Sequence, residues 1–465
     1  MRLKKITLNN YRCFENLEID LHQDLTVLVG ENGIGKTAIL DAIATGLSPL
    51  LSYLSSANQR LSGPGFKDTD FRIESWIGPN GQKQWGVTDF AQVIIQTTDG
   101  LEWDNWRPST AGKHPKRKIG RSELLANAAA ILESFKTARP KLLPIFAYYG
   151  AQRGRIEIPE RLRSTKQDYS QPTSALVDAL NSQSDFKEML KWFDVEESAE
   201  LRANKYNQPE DFDLSIPLES VRNAIEEIFD KKYRNPYFNK DHKFVVEQEN
   251  GMPLQVSQLS QGYQSMLALG MDFARRLAIG NRHLTFEERL QESMHLQFDF
   301  NSRELPNDLY SPALLVPAVM LVDEIDLHLH PSWQQRVLGD LMRTFPYTQF
   351  IVTTHSPQVL STIHRESIRV LGKDSNGHDV AVMPMAESYG EISSDVLESI
   401  MHVNPQPPVA EKAKLECLTE WVDQGLYDTP EATSLFAELK TVFGDAHPQL
   451  QRLARSIKRQ KMLKL

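Results

Sequence analysis

The sequence predicts an α/β fold: a buried parallel sheet bearing its chemistry at the carboxyl ends of its strands, an antiparallel β subdomain, a helical lobe and a short helical C-terminal appendix. Three observations carry this. An apolar strand, a glycine-rich loop and a helix start follow one another in VLVGENGIGKTAIL, residues 27–40. The run VPAVMLVDEID, residues 316–326, ends in carboxylates, and FIVTTHSP, residues 350–357, carries a histidine after its apolar part. Strands covered on both faces of a parallel sheet read as such near-continuous apolar runs.

At 465 residues the chain exceeds the size at which one core stops growing, so several lobes are expected. Residues 1–158 form a lobe with the glycine loop and a β meander, 159–255 a helical insertion, 256–400 the remainder of the lobe, and 401–465 a helical tail. A formal net charge of −9 argues against a protein dominated by a nucleic-acid-binding face. The two cysteines, Cys13 and Cys417, fit a reducing cytosol and lack the spacing of a disulfide framework or metal site. MRLKKITLNNYRCF has neither the apolar stretch nor the cleavage site of a signal peptide. ALLVPAVMLV, residues 313–322, is broken by Pro317 and too short for a bilayer, so a cytoplasmic protein is expected.

The elements follow from local pattern. Ile6, Leu8, Leu17, Ile19 and Leu21 alternate with polar residues, predicting two amphipathic strands before the buried strand at 25–29. Lys36 to Leu47 is predicted helical. Between 70 and 106, the turn signals Pro79-Asn80-Gly81 and Asp99-Gly100 predict an antiparallel meander. Residues 107–121 are basic and read first as a solvated loop. A helix at 122–136 and a strand at 142–148 precede the loop YYGAQRGR. Helical spacing then runs from 160 to about 230, as in FKEMLKWF and LESVRNAIEEIF, and strand returns at 243–256. Trp333, Val337, Leu338, Leu341, Met342 and Phe345 give an amphipathic helix over 331–345. No heptads persist, and 408–465 reads as helical.

The chemistry is concentrated in four places. Gly30-Glu31-Asn32-Gly33-Ile34-Gly35-Lys36-Thr37 satisfies G-x-x-x-x-G-K-[ST], in which backbone N–H groups close around phosphate oxygens. Asn32, Gly33, Gly35, Lys36, Thr37 and Ala38 are the expected nucleotide contacts, with Thr37 offering its hydroxyl to Mg²⁺. An apolar strand ending in acids is common alone. Beside the glycine loop it points to hydrolysis, Asp323 anchoring Mg²⁺ and Glu324 polarising the attacking water. A lone histidine is usually structural, but His355 follows a strand whose end faces the γ-phosphate position. Ser260 and Gly262 in QLSQGYQSMLALGMDF open a long helix, an anion site by its free N–H groups, although the segment alone would read as a plain serine N-cap. His328 and His330 lack the further ligand that zinc requires and read as turn residues.

In this order the motifs resemble ABC-type ATPases of the SMC–RecF group, and the fold expected is that group's ATPase head. LSQGY matches its signature loop, with Gln261 and Tyr263 departing from the common LSGGQ. The resemblance implies a head-to-tail dimer in which Ser260 and Gly262 of one subunit meet the nucleotide on the other. It also implies Gln152 as the Q-loop glutamine at nucleotide and metal, with Arg153 and Gln167 as competitors for that place. Asp326 fits the D-loop, and Arg12 stands where an arginine faces the nucleotide. The implied cofactors are ATP and Mg²⁺, the latter held by Thr37, Asp323 and Gln152. No coiled coil, D-x-D tail or HNH-like cluster is present, which implies an ATPase without its own nuclease site.

YYGAQRGR, LSQGYQSMLAL, VDEIDLHLHPSW and TTHSPQVLSTI together resemble the PtuA family, ATPase subunits of Septu anti-phage defence systems also found beside retrons. That resemblance implies a homo-oligomer, a partner HNH nuclease of the PtuB kind, DNA contact through that partner and no membrane. The alternative is a RecF-like DNA-binding ATPase clamp in repair. Arg452, Arg455, Lys458, Arg459 and Lys461 make the last helix basic. A solvated helix end is the plainer reading; nuclease docking or phosphate contact is the sharper one.

Overall fold

The computed structural model describes residues 1–56, 59–109, 112–154, 169–183, 186–284 and 311–463. They fall into two compact units, Met1–Met401 and His402–Leu465.

The first unit opens with β1 (Leu3–Tyr11) and β2 (Phe14–Asp20), an antiparallel pair in which Leu8 faces Leu17 and Ile6 faces Ile19. β3 (Leu25–Val29) is buried at every residue and leads through the glycine loop into α1 (Lys36–Tyr53). Among the described residues, β4 (Ile73–Ile77) and β5 (Lys83–Val87) pair only with each other, whereas β6 (Phe90–Thr97) and β7 (Glu102–Pro108) join the first hairpin in the order β2-β1-β6-β7. The expected single meander is therefore two hairpins in two sheets. Burial separates them: Ala91, Val93 and Ile95 pack under α1, while β4 is exposed throughout. Gly46 permits that approach, since a Cβ there would lie 2.6 Å from Ile95 Cδ1.

Next come α2 (Ser122–Ser134), β8 (Ile145–Tyr149), α3 (Phe186–Ala203) and α4 (Ile216–Ile228). The helical pattern stops at Ile228. β9 (Tyr233–Phe238), β10 (Phe244–Gln248) and β11 (Pro253–Gln255) then form a sheet ordered β11-β10-β9, so strand begins earlier than the sequence suggested. α5 (Gln261–Gly280) follows, then β12 (Ala318–Val322), α6 (Val337–Thr344), β13 (Thr348–Thr353), β14 (Ile368–Lys373), β15 (Asp379–Val382) and α7 (Ser393–Ser399). The helix expected over 331–345 is interrupted. A single helical turn at Pro331–Gln334 precedes α6, and Gln334 at its end donates to Leu329 O at 3.0 Å and accepts from Ser356 Oγ at 2.7 Å.

The central sheet runs β15-β14-β3-β13-β12-β8, with β15 antiparallel to β14 and every other neighbouring pair parallel. β3, β13, β12 and β8 are wholly buried and adjacent, so the loops leaving their carboxyl ends converge, the usual ligand position of an α/β sheet.

The second unit comprises α8 (Lys412–Asp423), α9 (Pro430–Phe443) and α10 (Pro448–Leu463) around its own core, including Leu415, Leu418, Val422, Leu439, Leu450 and Leu453. Among the described residues, no helix is long and apolar enough to cross a membrane.

Candidate functional site

Between β3 and α1 the chain turns through Gly33 and Gly35, whose φ values of 81° and 107° lie where side chains are disfavoured. Gly35 is required twice over, because a Cβ there would come within 2.5 Å of Phe14 Cζ and 2.7 Å of Cys13 Sγ. Asn32 and Gly33 are exposed on the loop; Ala38 is buried in the first turn of α1. The Lys36 ammonium donates to Gly30 O at 2.8 Å and Glu31 O at 2.9 Å. Burial lowers its pKa, against the opposing pull of Asp323, Glu324 and Asp326, so a cation and three acids share this end of the sheet.

Asp323 is held from two elements. Its Oδ2 accepts from Thr37 Oγ1 at 2.9 Å, and its Oδ1 accepts from Thr353 Oγ1 at 2.6 Å. Thr353 Oγ1 in turn accepts from Glu324 N at 2.7 Å. One hydroxyl at the end of β13 thus sets both acids. Glu324 is held at φ 49°, the kind of sparsely populated backbone conformation that collects at functional sites. Asp326 Oδ1 accepts from Thr354 Oγ1 at 2.6 Å and from His355 N at 3.3 Å, fastening the segment that carries His355. A hydroxyl from the first turn of α1 and a buried carboxylate just past β12 are hard oxygen donors, a set that fits Mg²⁺.

Gln152 lies exposed in the turn Ala151–Gly154 that follows β8. Its competitor Gln167, and the side chain of Arg153, lie outside the described residues. Arg12 flanks the glycine loop, where Cys13 Sγ approaches Ile34 O at 3.7 Å. Its guanidinium, however, is committed to carboxylates, with Nε at 2.8 Å from Asp70 and Nη1 at 2.8 Å from Asp41. Tyr148 Oη donates to the other Asp41 oxygen at 2.9 Å, so these contacts brace α1. His328 is exposed, and His330 caps the turn beginning at Pro331 by accepting from Ser332 N.

Ser260 is the exposed N-cap of α5, but its side chain makes no capping bond, unlike the plain serine cap. A Cβ on Gly262 would lie 2.6 Å from His328 O, so only glycine lets α5 approach that loop. The departure at Tyr263 has a physical reason: its ring sits 4.4 Å from Trp333 and stacks on Phe229 at 5.7 Å. Farther along α5, buried Asp272 binds Arg275 at 2.6 Å and Arg276 at 2.7 Å, and accepts from Tyr149 Oη at 2.9 Å. Burial pushes the Asp272 carboxyl up, but the arginines and the tyrosine overcome it and hold its pKa at about 2. Sequence reasoning missed this network and Thr353. Neither left a local signal, since β13 and α5 each carry other polar residues.

Residues 5–250 match the family described as an AAA domain. The chain belongs to that family. This AAA domain protein is 29% identical to the "Retron Ec83 probable ATPase" of Escherichia coli, with 96% of this chain and 84% of that protein covered. It is 26% identical to the "Retron Vc95 probable ATPase" of Vibrio cholerae serotype O1 biovar El Tor, over 88% and 80% respectively. The "Septu protein PtuA" of Bacillus mycoides (strain KBAB4) is 22% identical over 79% of this chain and 40% of that protein. Among solved structures, the SMC head domain from Thermotoga maritima aligns over 83% of this chain and 100% of that one, at 16% identity and a TM-score of 0.33. The sequence relatives and the motif set make this AAA domain protein an ABC-type, SMC/RecF-like ATPase of PtuA-like character.

Proposed function

We propose that this chain binds and hydrolyses ATP as the regulatory subunit of a two-component anti-phage defence complex, closing head to tail with a second copy and controlling a partner HNH nuclease. The observation that carries the ATPase reading is the chain of bonds from Thr37 through Asp323 and Thr353 to Glu324, which ties the phosphate loop to a pre-set acid pair. The names of the relatives, retron ATPases and Septu PtuA, support the defence setting.

In this reading the glycine loop and Lys36 hold the β- and γ-phosphates. Glu324 orients a water and takes its proton as the water oxygen bonds to the γ-phosphorus and the bond to the β–γ bridging oxygen breaks. His355 donates to a γ-phosphate oxygen. Mg²⁺, held by Thr37, Asp323 and Gln152, would supply charge neutralisation at the phosphates. Ser260 and Gly262 of a second copy complete the site.

The test is a tagged pull-down from the native operon, with and without ATP. A stoichiometric HNH protein is expected to co-elute. A chain that elutes alone, or with DNA that stimulates its ATP hydrolysis, would replace this reading with the RecF-like clamp.

A further inference from the structure

Four aromatic rings from four segments meet at the start of α5. Phe229 stands just past α4, Tyr233 opens β9, Tyr263 lies in the first turn of α5, and Trp333 lies in the turn Pro331–Gln334. Tyr263 meets all three others, its ring centroid 4.4 Å from Trp333, 5.3 Å from Tyr233 and 5.7 Å from Phe229. Phe229 also lies 5.4 Å from Trp333 and 5.6 Å from Tyr233, edge-on to the latter. Edge-on and offset pairs of this kind fix orientation as well as burying apolar area.

The two segments that this cluster joins are held in different ways. The acid loop has hydrogen bonds of its own. Asp323 accepts from Thr37 and Thr353, Asp326 accepts from Thr354 and His355 N, and Gln334 reaches both Leu329 O and Ser356 Oγ. Among the described residues, the turn at Ser260 has no hydrogen bond to that loop. Leu259 N donates to Val256 O at 3.1 Å, Gln264 N to Ser260 O at 3.0 Å and Gln264 Nε2 to Leu259 O at 2.8 Å, all within the one segment. Packing alone seats this turn: Gly262 against His328 O, and the Tyr263 ring among its three neighbours. Loss of a ring therefore releases Ser260 while Asp323 and Glu324 keep their bonds. Tyr263 faces its own chain, and the glutamine common at its position could not fill the place of its ring.

We propose that Tyr263 is a positioning residue which, with Phe229, Tyr233 and Trp333, holds Ser260 and Gly262 where they meet the nucleotide on a second copy. The inference rests on the head-to-tail reading above and makes one definite assignment. Although Trp333 belongs to the segment that follows the chain's own acids, loss of the cluster impairs hydrolysis of the nucleotide bound by the other copy.

The test pairs defective full-length chains. Tyr263→Ala and Trp333→Ala should each lower ATP turnover about 10–100-fold, as outer-shell partners do, with ATP affinity per chain unchanged. Tyr263→Phe, which keeps the ring, should restore turnover. Tyr263→Gln, which restores the common signature residue, should not. Each defective chain is then mixed with a Lys36→Ala chain, whose phosphate loop is disabled and whose Ser260 turn is intact. The mixture should recover up to about a quarter of the native rate, because half of randomly paired dimers are mixed and each holds one intact site of two. A Ser260→Arg chain mixed with the same Lys36→Ala chain is the control. Recovery in the control but not with Tyr263→Ala would overturn the positioning assignment and leave the head-to-tail reading standing. No recovery in the control would overturn both. Native turnover in Tyr263→Gln would also overturn the assignment, since the ring would then be dispensable. If the alanine chain loses ATP affinity along with its fold, the Tyr263→Gln chain is mixed in its place and read in the same way.

Discussion

Thr353, fully buried, bonds to both acids, donating to Asp323 Oδ1 and accepting from Glu324 N. Thr353→Val keeps the shape of the side chain and removes both bonds. Outer-shell partners of this kind typically contribute about 10–100-fold, so ATP turnover should fall by that order while ATP affinity changes little. Equal losses in binding and turnover would mean that Thr353 merely supports the loop. Lys36→Ala removes the cation beside Gly30 and Glu31 and should abolish ATP binding by equilibrium titration; retained affinity would mean that the phosphate loop is misread. Glu324→Gln should leave binding intact and trap ATP-bound dimers, seen as faster sedimentation with ATP. Unchanged sedimentation would count against a shared site.

The elements that position these residues were legible to different degrees, for reasons of burial and register. β3, β12 and β13 announced themselves because strands covered on both faces carry short apolar runs, Val27–Val29, Ala318–Val322 and Phe350–Val352. β9, YRNPYF, did not, because it is half exposed and carries Pro236 and Asn235. The alternation in β4 to β7 revealed strands but not which sheet each would join, since a period of two says nothing about partners. Gly30 to Thr37 could be recognised from spacing alone. Thr353 could not, because its role arises from the parallel register that sets Val322 beside Val352. The Asp272 network was hidden for a similar reason: its tyrosine comes from β8, far away in sequence. It ties α5, whose N-cap is Ser260, to the strand whose Tyr149 O accepts from Asp323 N. Asp272→Asn leaves two buried arginines uncompensated and should destabilise the first unit by about 3–5 kcal/mol in denaturant unfolding. The pH dependence has a definite sign. A carboxyl held at about 2 contributes stability that is full above its unfolded pKa near 4 and is lost as pH falls through about 2. The gap between the native chain and Asp272→Asn should therefore narrow over that window; a gap that widens on acidification would refute the assignment.

At the scale of the whole molecule, the two units have separate cores, and this makes the tail separable. Residues 402–465 bury Leu415, Leu418 and Val422 of α8 with Leu439 of α9 and Leu450 and Leu453 of α10. Thr429 caps α9 by accepting from Ala432 N. A domain this small buries a modest share of its surface and is expected to be only marginally stable, a few kcal/mol. Its last helix contains no acidic residue, and Lys461 reaches back to Asp428 at 3.0 Å while Arg452, Arg455, Lys458 and Arg459 stay exposed. Expressed alone, 402–465 should give a helical circular dichroism spectrum and one cooperative thermal transition. Leu439→Ala, at the centre of that core, should abolish the transition. The 1–401 piece, which keeps the phosphate loop and both acids, should bind ATP with the affinity of the full chain. If the basic helix docks the nuclease, 1–401 loses the partner in the pull-down, and so does a full chain carrying Arg452→Glu and Arg455→Glu. A full partner yield from both would leave the basic helix as a solvated end. A broad, non-cooperative melt of 402–465 would mean that its core needs the rest of the chain to form.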